Sequence, residues 1–108
     1  MPYNETIAAR IRAQLKLFPE EFTEKRMFGG LTFLYHGKMT VGIVKDDLAV
    51  RIVDSKMDSE LKKNYVRPMD FTKRPMKEFV YVSPEGFKTE EQLLYFIELG
   101  LEHAKSKL

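Results

Sequence analysis

The stretch that decides the fold runs from Phe22 to Val53 and reads FTEKRMFGGLTFLYHGKMTVGIVKDDLAVRIV. Its β-branched and aromatic residues stand in short runs separated by glycine or by charged turn residues, which is typical of strands joined by tight connections. The pattern predicts four strands in an antiparallel meander. Their predicted spans are about Thr23 to Phe28, Leu31 to Tyr35, Lys38 to Val44 and Leu48 to Val53.

Two connections that contain glycine support this meander. Gly29-Gly30 permits a tight turn or a bulge between the first two strands. His36-Gly37 suits a two-residue type I′ turn, because glycine adopts positive φ freely and histidine does so more readily than most residues. The sequence therefore predicts a hairpin on each side of the second strand.

Helical periodicity appears before and after the strand-rich stretch. Apolar residues recur at helical spacing over Glu5 to Leu17, and the side chain of Asn4 is suited to cap that helix. A short helix is predicted over about Lys56 to Asn64, with Asp54 or Ser55 as its cap. Only two apolar residues support this second helix.

The last third of the chain predicts a loop, a strand and a long helix. Two prolines favour an ordered loop over Val66 to Lys77, and Phe79 to Val82 reads as a fifth strand. Thr89 and Gln92 form a capping-box signature for a helix that extends to about Lys105. The helix has an apolar stripe in which the glycine would let another backbone approach closely: Leu93, Phe96, Ile97, Gly100, Leu101 and Ala104.

These elements predict an α+β fold of one domain over residues 1–108. We expect a two-layer sandwich, in which a five-stranded antiparallel sheet carries the N- and C-terminal helices on one face, since each apolar stripe needs an apolar surface to cover it. The other sheet face has no obvious cover in this chain. It is therefore predicted to be a surface for self-association or for a partner.

Composition narrows the possible functions. The 108 residues suit one domain. The 18 basic and 16 acidic residues leave a net charge of +2, which argues against a nucleic-acid-binding surface that is basic all over. The absence of cysteine excludes disulfides, thiolate zinc sites, iron–sulfur clusters and cysteine nucleophiles. No signal peptide or membrane span is recognisable in the sequence, so we expect a cytoplasmic protein.

The residues that commonly carry chemistry show no recognisable arrangement. His36 lies in a predicted turn and His103 near the end of the last helix, where it would favour the helix dipole, and neither has a local metal-ligand partner. We therefore expect no metal, no cofactor and no enzymatic activity. One alternative stays open, in which Arg26, Arg51 and Asp70 converge on a pocket.

One segment is strongly basic. Residues 62–77 contain one acid, Asp70, and two interleaved aromatic residues, Tyr65 and Phe71. The stretch from Glu85 to Glu102 is acidic, so a charge-segregated surface is expected. An alternative is that the charges brace a loop or are simply solvated. The basic residues are Lys62, Lys63, Arg67, Lys73, Arg74 and Lys77.

Several motifs resemble the N-terminal domain of the TfoX/Sxy family. They are Arg26-Met27-Phe28-Gly29-Gly30, Gly37-Lys38-Met39, Arg67-Pro68-Met69-Asp70-Phe71 and Arg74-Pro75-Met76-Lys77. The resemblance covers about residues 8–104. It implies the α+β fold of that domain, which is related to the secretion-chaperone-like architecture. It also implies a link to bacterial regulators of natural competence, whose full-length members carry a second, helical domain. The family offers no active site to transfer, so the matched residues are signature positions.

Two functional hypotheses follow. The first is a non-catalytic bacterial module, acting in competence or transcriptional regulation, that binds a protein partner or forms a homodimer through the uncovered sheet face and the basic loop. The second is nucleic-acid binding through residues 62–77, with phosphates contacted by the basic side chains and bases stacked on Tyr65 or Phe71. The candidate binding residues are Arg26, Lys62, Lys63, Arg67, Asp70, Lys73, Arg74 and Lys77, and the structural motif residues are Phe28, Gly29, Gly30 and Gly37.

Overall fold

A computed structural model of the protein describes residues 3–27, 29–69 and 78–108. Within these ranges the strands are β1 Thr23–Met27, β2 Gly30–Tyr35, β3 Lys38–Val44, β4 Asp47–Arg51, β5 Val66–Pro68 and β6 Phe79–Val82. The helices are α1 Glu5–Leu15, α2 Asp54–Leu61 and α3 Glu90–Ser106, and a short 3-10 helix spans Pro84–Phe87. The α+β class is as predicted.

All six strands form one antiparallel sheet in the order β1-β2-β3-β4-β6-β5. The predicted four-stranded meander and the strand at Phe79–Val82 are confirmed. The prediction of five strands is wrong, because Val66–Pro68, assigned to a loop, pairs with β6. Pro68 lacks an N–H donor, and it is tolerated here because β5 is an edge strand.

The connection between β2 and β3 is the predicted positive-φ turn, with φ of 50° at His36 and 77° at Gly37. Between β1 and β2, Gly29 also has a positive φ, of 72°. A Cβ on Gly30 would lie 1.9 Å from the carbonyl oxygen of Ile43, so no side chain fits there. Both glycine connections therefore have the structural role expected of them.

A β-bulge distorts the middle of the sheet. The pairing of β2 with β3 shifts between Phe33 and Leu34, which makes Thr40 an extra residue in β3. The Thr40 hydroxyl donates to the carbonyl of Phe33 over 2.8 Å. The backbone of Thr40 lies against α3, where a Cβ on Gly100 would be 2.3 Å from the Thr40 oxygen. This is the close backbone approach that the glycine was expected to permit.

Helices α1 and α3 begin at the predicted capping residues, whereas α2 does not. Asn4 accepts from two backbone N–H groups at the start of α1, and Thr89 and Gln92 form a complete capping box for α3. The predicted cap at Asp54 or Ser55 is wrong, since Val53 occupies the N-cap position without a side-chain hydrogen bond. Asp54 instead lies in the first turn, where its carboxylate complements the helix dipole.

The main core lies between the helices and one face of the sheet. Both α1 and α3 contribute to it, which confirms the predicted placement of the terminal helices on one face. The largest fully buried side chains here are aromatic: Phe33, Phe87 and Phe96. The whole predicted apolar stripe of α3 is buried.

The opposite sheet face differs from the prediction. Met69, directly after β5, is fully buried and packs with Met39 and Ala49. Partly buried apolar side chains surround these three residues. The centre of this face is therefore a small second core, which the side chain of Met69 joins from the end of edge strand β5. The described residues at the centre of this face are buried, so the face is not the uncovered apolar surface that was predicted.

Across residues 3–27, 29–69 and 78–108, we find no helix that combines the length and the apolar character needed to cross a bilayer.

Candidate functional site

The basic residues of segment 62–77 that the structure describes do not form one patch. Lys63 lies on the helix side of the sheet, where its Nζ is 2.9 Å from Glu60 and 3.1 Å from the hydroxyl of Tyr95. Lys62 is exposed at the end of α2. Arg67 lies on the opposite face, with its guanidinium 5.0 Å from the centre of the Tyr81 ring.

Arg67 is held by partners outside its own segment. Its Nη2 lies 2.5 Å from the Asp47 carboxylate, and its Nη1 donates to Ser83 over 3.0 Å. The loop-bracing role considered for Arg67 is therefore seen with Asp47. Phe28 and five residues of this region that the sequence singles out lie outside the described residues: Asp70, Phe71, Lys73, Arg74 and Lys77.

Tyr65, expected to be available for stacking, is part of the packing. Its ring meets Phe96 edge-on, with centroids 6.4 Å apart. A Cβ on Gly86 would lie 2.3 Å from the Tyr65 ring, so the ring occupies the space that this glycine leaves. Tyr65 is therefore not a free platform for a nucleic-acid base.

The arginines of the suggested pocket point to different faces. Arg26 pairs with Leu31, a main-core residue, and so faces the helix side from edge strand β1. Arg51 pairs with Phe79, which belongs to the second core on the opposite face. Arg26 and Arg51 therefore do not converge, and Asp70 lies outside the described residues. Within the described ranges no three His, Asp or Glu side chains are grouped to hold a metal ion.

His103 is buried rather than placed at a solvated helix end. It is 1% exposed, and its Nε2 lies 3.4 Å from the carboxylate of Glu78 without hydrogen-bond alignment. Burial lowers the pKa of His103, and the contact with Glu78 only partly opposes this effect. A pKa below the ordinary value favours the neutral imidazole at pH 7, which weakens the predicted interaction of His103 with the helix dipole.

Glu78 is the centre of what we call the Glu78 cluster, which comprises Arg51, Glu78, His103 and Lys107. Arg51 lies 3.3 Å and Lys107 lies 3.5 Å from the Glu78 carboxylate. Partial burial opposes ionisation of Glu78, but its contacts with His103 and Arg51 keep its pKa below the usual value. Among the residues that the structure describes, no hydrogen-bond partner is found for three buried nitrogens of the cluster: Arg51 Nε, His103 Nδ1 and His103 Nε2.

A second carboxylate cluster lies near the start of α3. We call it the Glu60 cluster, which comprises Glu60, Lys63 and Tyr95. Glu60 is 3% exposed, accepts a short hydrogen bond from the Tyr95 hydroxyl and forms an ion pair with Lys63. Lys63 Nζ also lies 4.3 Å from the centre of the Tyr95 ring. The Tyr95 side chain is thus fixed at its hydroxyl and across its face.

Tyr95 is the central residue of a surface on the solvent side of α3. We define the α3 outer surface as Glu91, Tyr95, Glu98 and Glu102, which follow helical spacing. Tyr95 is 42% exposed. Glu102 pairs with Lys56 over 2.8 Å, whereas Glu91 and Glu98 have no ion-pair partner among the described residues.

Two hollows flank the ring of Tyr95. One, of about 290 Å³, has an aromatic lining from Tyr65 and Phe96, with Glu91 at its edge. The other, of about 320 Å³, lies towards Glu98 and Leu99. The acidic character of this helix is visible in the sequence, but the site was predicted in the basic segment, residues 62–77. The spacing of Glu91, Tyr95 and Glu98 was the signal available for this surface.

The fold and this surface define a small α+β domain in which Tyr95 lies among glutamates on the solvent side of α3. The chain belongs to the TfoX N-terminal domain family, whose family model matches residues 13–104. This finding confirms the resemblance carried by the sequence motifs. A search of curated proteins gives no significant match.

Proposed function

We propose that the protein is a non-catalytic interaction module of the TfoX N-terminal domain family, and that it acts in bacterial regulation in the cytoplasm by binding a protein partner. The family match supports a competence-related setting. The observation that carries the proposal is the α3 outer surface, where an exposed tyrosine stands between two carboxylates that have no described ion-pair partner.

The geometry of Tyr95 suits a binding anchor. Tyrosine is enriched among the residues that dominate binding energy, since it buries a large area and loses few rotatable bonds. The contacts of Tyr95 with Glu60 and Lys63 already hold the ring in place. A partner would therefore meet a preorganised aromatic residue, and little entropy would be lost on binding.

The charge of the surface selects the class of partner. Glu91 and Glu98 lie on either side of Tyr95 and would pair with lysine or arginine side chains of another protein. The partner is thus expected to present basic residues around an apolar contact that fits against Tyr95.

The ionisable groups near this surface support a role without chemistry. Burial and the bond to Glu60 raise the pKa of Tyr95, so its hydroxyl stays protonated at neutral pH. Burial opposes the charge on Lys63, but Tyr95 and Glu60 outweigh it and raise the pKa of the lysine. A protonated phenol and a charged ammonium are poor nucleophiles.

The test is a charge reversal at Glu91 and Glu98, the two carboxylates without a described ion-pair partner. Immobilised wild-type protein, the double variant Glu91→Lys/Glu98→Lys and a matched control, Glu5→Lys/Glu21→Lys, are compared for cross-linked capture of bacterial proteins. The control changes the net charge equally at exposed glutamates that lie outside α3 and the 3-10 helix packed on it. We expect a basic partner to be captured by the wild type and the control and lost by the α3 variant. Equal capture by all three proteins would contradict the proposal.

A nucleic-acid titration tests the alternative. Labelled single-stranded DNA is titrated at low salt and again at higher salt. We expect no binding, because Lys63 and Arg67 of the basic segment are paired with Glu60 and Asp47. Binding that falls steeply with salt, on the order of a hundredfold between about 50 and 200 mM, would favour nucleic acid as the target.

A further inference from the structure

The two edges of the sheet are protected differently. Strand β5 has three residues and ends in Pro68, features that blunt an edge against further pairing. Strand β1 has five residues and no proline, and four of its five residues are exposed. No described strand pairs with its outer side. β1 is therefore the edge that is open to another strand.

The backbone of β1 presents defined groups to that outer side. The Thr32 hydroxyl donates to the carbonyl of Lys25 over 2.8 Å, so the backbone of Lys25 is turned towards β2. Backbone groups of successive residues in an antiparallel strand point to alternate sides. The N–H and C=O groups of Glu24 and Arg26 are therefore turned outward, available for an additional strand.

The side chains of β1 have a self-complementary order. Glu24 and Arg26 flank Lys25 and share the helix face of the sheet, as their pairing with the core residues Phe33 and Leu31 shows. Glu24 is also held on that face by Arg12 of α1 over 2.8 Å. Arg26 has no ion-pair partner among the described residues.

We propose that two copies of this chain associate through β1 as antiparallel strands, with a two-fold axis that passes through Lys25. In this register Glu24 of each copy lies opposite Arg26 of the other, on the helix face. The outward backbone groups of these same residues then pair across the junction, which joins two sheets into one. The sequence order of opposite charges about the axis is what selects a second copy as the occupant of the edge.

Lys25 limits the strength of this contact. In the proposed register Lys25 of one copy lies opposite Lys25 of the other. Like charges directly across two strands are destabilising. The contact also involves only five residues from each chain. The dimer is therefore weak and reversible, and its population depends on protein concentration. This inference stands apart from the α3 outer surface, which faces elsewhere.

Sedimentation equilibrium of the full chain, over a range of concentrations, tests the proposal through charge. Arg26→Glu places carboxylates opposite each other and is expected to weaken the dimer on the order of tenfold, and Glu24→Arg places cations opposite each other with a similar effect. An equal mixture of the two variants restores both opposite-charge pairs in a mixed dimer. We expect the mixture to associate about as tightly as the wild type.

Further variants keep the test decisive. Because Glu24→Arg also loses its pairing with Arg12, Lys25→Thr serves as a second probe, and it is expected to tighten the dimer about fivefold by removing the like-charge pair. Glu91→Lys/Glu98→Lys should leave the dissociation constant unchanged, which separates this contact from the α3 outer surface. A wild type that is monomeric at every concentration, a dimer insensitive to Arg26→Glu, or an unchanged dimer in Lys25→Thr would overturn the proposal.

Discussion

The Glu60 cluster and the Glu78 cluster both fasten α3 to the rest of the domain through a carboxylate, yet they are satisfied to different degrees. Glu60 accepts from Tyr95 and pairs with Lys63. In the Glu78 cluster, three buried nitrogens of Arg51 and His103 have no hydrogen-bond partner in the described part of the chain. A buried polar group without a partner keeps its full desolvation cost. The Glu60 cluster therefore stabilises the fold. The Glu78 cluster retains an unfavourable desolvation free energy, which changes when His103 is protonated.

Local geometry explains this difference. In the Glu60 cluster, Lys63 follows its carboxylate by one helical turn, and the long Tyr95 side chain reaches the same group from α3. In the Glu78 cluster, Glu78 has a φ of 71° and its carbonyl accepts from Ile52 over 2.7 Å. A non-glycine residue in the left-handed region is uncommon and is maintained by its surroundings. The backbone at Glu78 is thus fixed by the sheet rather than by the needs of His103.

The largest effect is expected from Glu60→Ala. This change leaves the Tyr95 hydroxyl and the Lys63 ammonium without their shared acceptor, and we expect it to lower the free energy of unfolding by about 2 kcal/mol. Urea denaturation at pH 7 measures the change. Glu98→Ala, at an exposed glutamate inside α3 without a described ion-pair partner, is the control and should change stability by less than about 0.5 kcal/mol. Equal effects of the two substitutions would show that the Glu60 cluster does not stabilise the fold.

A smaller effect is expected from Tyr95→Phe. The ring remains in place and only the hydroxyl is lost, so Glu60 keeps its ion pair with Lys63. We expect the free energy of unfolding to fall by about 1 kcal/mol, the usual contribution of one hydrogen bond. Denaturation of Tyr95→Phe alongside Glu60→Ala and the double variant gives the coupling between the two residues. Strictly additive effects would be inconsistent with a shared hydrogen bond.

The smallest effect at neutral pH is expected at His103, where pH is the sharper probe. The folded pKa of His103 lies below its ordinary value of about 6.5, so below that pH the unfolded chain binds more protons than the native chain. The free energy of unfolding should therefore fall as pH decreases through this range and stay level above it. Denaturation midpoints across this pH range measure the slope.

His103→Leu separates this effect from other titrating groups. Because it removes unpartnered nitrogens, we expect the variant to change stability at pH 7 by less than about 1 kcal/mol. It should also flatten the pH dependence just below the ordinary pKa of histidine. The contribution of Glu78, whose pKa is also lowered, falls at a more acidic pH. It should become smaller without His103, and the contacts with Arg51 and Lys107 should retain part of it. A variant with the wild-type slope would show that His103 does not control it.

Local sequence signals predicted most of the fold. The caps at Asn4 and Thr89 were visible because capping depends on residues only a few positions apart. The same is true of the positive-φ turn at His36-Gly37. Strand β5 was missed because three residues that include a proline have no strand pattern of their own, and only pairing with β6 defines them.

The candidate site was less predictable, because the partners of its charges are distant in sequence. Arg67 is paired with Asp47 and Tyr65 packs on Phe96, and neither contact follows from local spacing. A segment that looks basic in sequence is thus partly neutralised in the fold. The second core was missed for the same reason, because Met69 follows β5 and contacts Met39 and Ala49, which are distant in sequence.

The bulge at Thr40 links the length of β3 to the identity of residue 100. The extra residue pushes the backbone of Thr40 against α3, and only the absence of a side chain at Gly100 accommodates it. Neither feature is then free to vary alone during evolution. A shorter β3 would release the requirement for glycine, whereas a side chain at position 100 would be accepted only in a chain that had already lost the bulge. The two positions should therefore change together among homologous sequences, although they lie in different layers of the domain.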